Sequence, residues 1–83
     1  MAKYRDTNNG LEFDESELEL VWCNLDEILA ELENSGSPYA GSFPPDLDVG
    51  LYSDPEEVEG DPAARRPFSL WQGAYWELEQ LEE

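Results

Sequence analysis

Between Glu12 and Asp61 the chain carries no lysine or arginine. Any surface built in that span must use acids and neutral residues. It lacks the Glu-to-Lys pairs that support an exposed helix by a few tenths of a kcal/mol each. Whatever folds there must be held by its apolar side alone. The whole chain shares the bias: 21 acids face four bases in 83 residues, a formal net charge of -17. Hydrophobic residues still make up 40% of the sequence, with three Trp, four Tyr and three Phe. That suffices for one modest core, and the length suits a single small acidic domain over 1–83.

The apolar spacing predicts a mainly α architecture. Leu18, Val21, Trp22, Leu25, Ile28, Leu29 and Leu32 recur at three- and four-residue intervals, the template of one helix face over 16–34. Ser16 and Glu19 have the S-x-x-E spacing of a capping box, and Gly36 suits a left-handed stop. A second helix is expected over 69–83: Ser69 and Gln72 repeat the box, and Trp71, Ala74, Tyr75, Leu78 and Leu81 follow helical spacing. Residues 35–68 hold all six prolines, five of them before Pro67, and read as a long loop. Tyr39, Phe43, Leu47, Val49, Leu51, Tyr52 and Val58 along it predict that it packs over the helices. Asn9-Gly10, between Tyr4 and the pair Leu11 and Phe13, predicts a type I′ hairpin within 1–14. The alternative architecture is a small α+β domain in which parts of the loop form strands.

The two predicted helices carry their acids without relief. Glu15–Glu19, Glu27–Glu31 and Glu79–Glu83 are like-charged at four-residue spacing and cost local stability. Glu31, Glu33, Glu82 and Glu83 also oppose a helix dipole at its C-terminal end. A chain that gives up local stability to stay negative points to a functional surface. Phosphate repulsion disfavours direct nucleic-acid binding, and anionic membranes are disfavoured likewise. A basic protein is the natural counterpart. Carboxylates three or four residues apart on a helix stand about 5–6 Å apart at Cβ. That is comparable to the spacing of successive phosphates along a DNA strand, where the rise is about 3.4 Å per step. The expected partner-binding residues are Glu15, Glu17, Glu19, Asp26, Glu27, Glu31, Glu33, Glu77, Glu79, Glu82 and Glu83. Glu19, Asp26 and Glu33 form a heptad stripe among them. Trp76, off its apolar stripe, is expected as an aromatic anchor, while Trp22, Trp71 and Tyr75 are expected in the core.

In length, charge and acidic helices, the stretches "ESELELVWCNLDEILAELEN" and "WELEQLEE" resemble, as a class, the small acidic DNA-mimic inhibitors of phages and mobile elements. Anti-restriction proteins, anti-CRISPR proteins and inhibitors of uracil-DNA glycosylase belong to that class. The resemblance implies a stoichiometric protein-binding inhibitor that fills the basic nucleic-acid-binding site of a host defence or DNA-processing enzyme. Two other readings stay open: an immunity protein or antitoxin neutralising a basic nuclease, and an acidic adaptor module without mimicry. An exposed Leu and Trp stripe would permit a homodimer.

Other motifs carry less. "LDEILAEL" (25–32) resembles the LD motif of helix-in-groove adaptors, but the same residues are the expected core. Asp46, Asp48 and Glu57 match three positions of a calcium loop, yet Gly50 and Leu51 stand where an Asp or Asn and the turn Gly belong. "RRPFS" (65–69) has the look of a basophilic kinase site, although Ser69 is expected to cap a helix. With no His, one Cys and no glycine-rich phosphate loop, the sequence gives no basis for catalysis and calls for no cofactor. Cys23 is expected to be a half-buried, inert thiol. Without a signal peptide or a spanning apolar run, the expected location is the cytoplasm, that of the host if the chain is phage-encoded.

Overall fold

The computed structural model describes residues 3–81 and overturns the mainly helical expectation. The fold is a small α+β unit built on an antiparallel sheet, with one α-helix among the described residues. The strands are β1 (Lys3–Asp6), β2 (Glu12–Asp14), β3 (Leu20–Asn24), β4 (Ser42–Phe43), β5 (Arg65–Trp71) and β6 (Ala74–Gln80); the helix is α1 (Leu25–Ser35). The sheet order is β2-β1-β6-β5-β3, and β4 pairs β6 on the side that β1 takes further along.

The expected hairpin within 1–14 forms, with Tyr4 opposite Phe13 and Arg5 opposite Glu12. Its turn is wider than a two-residue type I′. Asp6 and Leu11 close a four-residue loop, Asp6 Oδ1 accepts from the Asn8 N–H at 2.8 Å, and Gly10 is left-handed.

The expected helix 16–34 divides at Asn24. Leu20–Asn24 is strand, and only Leu25–Ser35 is helix. Leu20, Val21, Trp22 and Cys23 are contiguous apolar residues, which satisfy a buried strand as well as a helix face. Pairing with β5 decides for the strand, since Val21 lies opposite Phe68 and Trp22 opposite Pro67. Ser16 and Glu19 cap nothing. The cap is Asn24, whose Oδ1 accepts from the Asp26 and Glu27 N–H groups at 2.9 and 3.3 Å. Gly36 ends the helix in the left-handed conformation, as its position in the sequence implied.

The expected helix 69–83 is the β5–β6 hairpin; Glu82 and Glu83 lie outside the described residues. Trp71 faces Ala74 across a two-residue turn in which Gln72 and Gly73 have φ of 50° and 79°. This is the type I′ turn. Gln72 takes the left-handed region that glycine and asparagine usually fill, and the matched strands hold it there. Ser69 is therefore a buried strand residue and not a cap.

The stretch expected as a Pro-rich loop does pack over the sheet, but it also supplies β4 and the start of β5. Pro67 is accommodated within β5 by the alternation of the ladder. The Trp22 backbone turns outward to Tyr52, with hydrogen bonds of 2.6 and 3.0 Å, so Pro67 opposite it points its missing N–H toward β6. The β5–β6 ladder begins only at Phe68, leaving no bond for Pro67 to break.

Two apolar clusters lie on opposite faces of the sheet. Ile28 and Leu32 of α1 pack onto Cys23, Phe43 and Phe68 on one face. On the other face Tyr4, Trp22, Val58 and Leu78 form a second group. Among the described residues no helix is long and apolar enough to cross a membrane.

Candidate functional site

The acids expected to form one surface are spread over three places. Asp26, Glu27, Glu31 and Glu33 ride on α1 and keep helical spacing. Asp26 and Glu27 stand in its first turn, where negative charge suits the dipole; Glu33 near its end has no basic neighbour in the last turn. Glu27 has a further task, since its Oε1 accepts from the Gly50 N–H at 2.6 Å and pins the Pro-rich segment to the helix.

Glu15, Glu17 and Glu19 precede β3. Glu15 and Glu17 lie in a single 3₁₀ turn, and Glu17 Oε1 accepts from the Asp14 N–H at 3.0 Å. The heptad stripe of Glu19, Asp26 and Glu33 does not exist. A helix would place Glu19 about 10 Å from Asp26. The five extended residues of β3 alone span about 17 Å instead.

On β6, Glu77 and Glu79 serve the fold. Arg5 lies between Glu12 and Glu79, at 3.8 and 3.4 Å. Glu77 is half-buried, stands 3.9 Å from the Arg66 Nε and accepts a short hydrogen bond from the Tyr39 hydroxyl. Burial first, and then this bond, push the Tyr39 hydroxyl well above its ordinary titration range. Trp76 is half-buried as well, and its indole N–H donates to the Trp71 carbonyl at 2.9 Å, so it braces the hairpin and is not a free anchor.

The exposed aromatic is Trp71, expected in the core but 57% accessible. Beside it Leu11 is 56% accessible, and Leu70 is exposed too. These residues line a groove of about 310 Å³ together with Phe13, Leu18, Glu17 and Glu19. Helical spacing hid the groove by placing Trp71 on an inward stripe. The signal that locates it is the two-residue period through the Gln72-Gly73 turn.

The remaining motifs resolve into structure. Ile28 and Leu32 of the LD-like stretch are buried in the core. The calcium-like stretch has no flanking helices, and no group of His, Cys, Asp or Glu among the described residues could hold a metal ion. Cys23, expected half-buried, is fully buried, and burial followed by the charge of Glu27 pushes its thiol up to about 12. No family model, curated protein or solved structure matches the chain.

Proposed function

We propose that the protein binds a basic nucleic-acid-binding protein and inhibits it by occupying the nucleic-acid site, as a DNA mimic. One observation supports this reading above others. Among the described acids only Glu12, Glu77 and Glu79 form ion pairs, all with Arg5 or Arg66. The acids of α1 therefore face solvent without a counterion from the chain. They sit on an element fixed by a buried apolar side, so their spacing is held before a partner arrives. A partner's Lys and Arg would replace the missing cations, and the uniform field would speed association at low salt. The place of action is the cytoplasm, where a host defence or DNA-processing enzyme would meet it.

The experiment is competition on a basic DNA-binding enzyme captured by the immobilised protein. Duplex DNA and the protein should exclude one another from the enzyme, with affinity falling steeply as salt rises. The combined change Asp26→Asn, Glu31→Gln and Glu33→Gln should weaken capture by about tenfold, or 1.4 kcal/mol, while circular dichroism stays unchanged. A stable ternary complex of enzyme, DNA and protein would refute mimicry.

A further inference from the structure

The groove beside the β5–β6 turn differs in kind from the helix surface. Its surface is mainly apolar, with Leu11, Phe13 and Trp71, while the acids Asp6, Glu17 and Glu19 line it as well and no Lys or Arg does. Trp71 and Leu11 are each more than half exposed. A water-exposed indole beside an exposed leucine, Leu11, is apolar surface that a partner can remove from solvent. We propose that this groove takes up a short basic segment of a partner protein. One bulky apolar side chain of that segment enters between Leu11 and Trp71, and its flanking Lys or Arg residues lie against Glu17 and Glu19.

Charge selects this occupant. A second copy of the chain would bring another net charge of -17 to these acids, and like charges oppose that contact. A neutral apolar peptide would bring no cation to Glu17 and Glu19, which pair with no base among the described residues. An amphipathic cationic segment satisfies both the apolar surface and the acids. The helix acids, by contrast, read charge alone. The groove thus gives the molecule a way to distinguish one basic protein from another, which a uniform negative field cannot do. The inference rests on the reading that the partner is a basic protein, and it does not require that the protein imitates nucleic acid.

The test uses the whole chain and two short synthetic peptides of equal positive charge, one alternating Lys with Leu and the other Lys with Ser. Binding is followed by titration calorimetry and by tryptophan emission. The Lys–Leu peptide should bind about tenfold more tightly, and it alone should shift the emission of the exposed indole. Trp71→Ser should bring the two affinities together, and so should Leu11→Ser. Both side chains are largely solvent-facing, so the fold should survive, and a melting curve checks this. Glu17→Gln with Glu19→Gln should weaken both peptides. Equal affinity of the two peptides for the unaltered protein would overturn the groove. So would a leucine preference that survives both serine variants. Either failure leaves the competition with DNA standing. A leucine preference combined with a ternary complex on the enzyme would remove mimicry and keep the groove.

Discussion

The two faces of the sheet are covered by different kinds of chain, and their properties follow from the cover. On one face α1 is the main cover, joined by Tyr39, Leu47 and Val49 of the Pro-rich segment, and Cys23, Phe68 and the helix's own Ile28 have no accessible surface. A helix satisfies its own backbone, so it can lie on apolar side chains without further polar partners. On the other face, Val58 and its neighbours arrive on irregular chain that must satisfy its backbone piecemeal. Asp54 and Asp61 each accept from an N–H two residues on, at 2.9 Å, to hold short 3₁₀ turns. Such a cover is discontinuous, and apolar side chains remain bare near the β5–β6 turn. The regular lid carries acids in fixed register on its outside. The irregular one leaves a groove.

The largest expected effect tests whether the helix-covered face holds most of the stability. Phe68 packs edge-on against Phe43 at 5.0 Å between ring centroids, at the centre of that cluster. Phe68→Ala should cost about 3–5 kcal/mol. Val58→Ala, under the irregular cover, removes two methylene equivalents and should cost about 1.5 kcal/mol. Urea midpoints measure both. Equal losses would dissolve the distinction between the faces.

Asn24 joins the two covers. Its Oδ1 caps α1, and its Nδ2 donates to the Glu59 carbonyl at 3.0 Å in the irregular chain. Asn24→Ala should therefore cost about 2 kcal/mol, one share from the cap and one from the tie. Gly60 is left-handed, with φ of 95°, and a Cβ there would stand 2.5 Å from the Asn24 Nδ2. Gly60→Ala should cost about 1–2 kcal/mol for the backbone alone, and more while Asn24 is present. In a double-mutant cycle the two losses should sum to more than the pair costs together. Strict additivity would show the covers to be independent.

Alkaline pH should act on the helix-covered side. The Cys23 thiol is raised from 9.0 to about 12, and Tyr39, packed against the same cluster, is raised too. The unfolded chain releases these protons first, so the folded state holds more of them at high pH. These two groups should leave stability unaffected below pH 9, the ordinary thiol value, and lower it as pH climbs toward 12. Cys23→Ala should flatten the first part of that decline and Tyr39→Phe the later part, read from urea midpoints against pH. An unchanged slope in both variants would mean that neither group controls it.

Parts of this arrangement were legible from the residues alone. Asn9-Gly10 marked the hairpin, Gly36 marked the helix end, and the acids on 26–33 were assigned to a helix they do occupy. The helix start was hidden because Leu20–Cys23 fits two periods at once, and only the pairing with β5 chooses between them. The C-terminal hairpin was hidden for two reasons. Pro67 argues against a strand unless the direction of its missing N–H is known, and Gln72 is an unusual residue for a left-handed turn position. Without that turn, helical spacing assigns the exposed Trp71 to the core. Pairing distant in sequence decides where α1 begins, whereas the C-terminal hairpin depends on a local turn whose left-handed Gln72 the residue type does not announce.

The smallest effect concerns the acids of the regular lid. Glu27 and Glu31 are like-charged at four-residue spacing on α1, and Glu31 belongs to the half of the helix where negative charge opposes the dipole. Glu31→Lys would exchange repulsion for attraction and should raise stability by a few tenths of a kcal/mol at low salt. The gain should shrink as salt is added, because the screening length falls to about 3 Å at 1 M. The same substitution should weaken capture of a basic enzyme and leave the leucine preference of the groove unchanged, since Glu31 does not line it. A variant that is more stable yet binds less well would mean that this acid is kept at a cost to the fold. A variant that loses stability would mean that Glu31 serves the fold itself, and the helix-covered face would then have no acid held for a partner at that position.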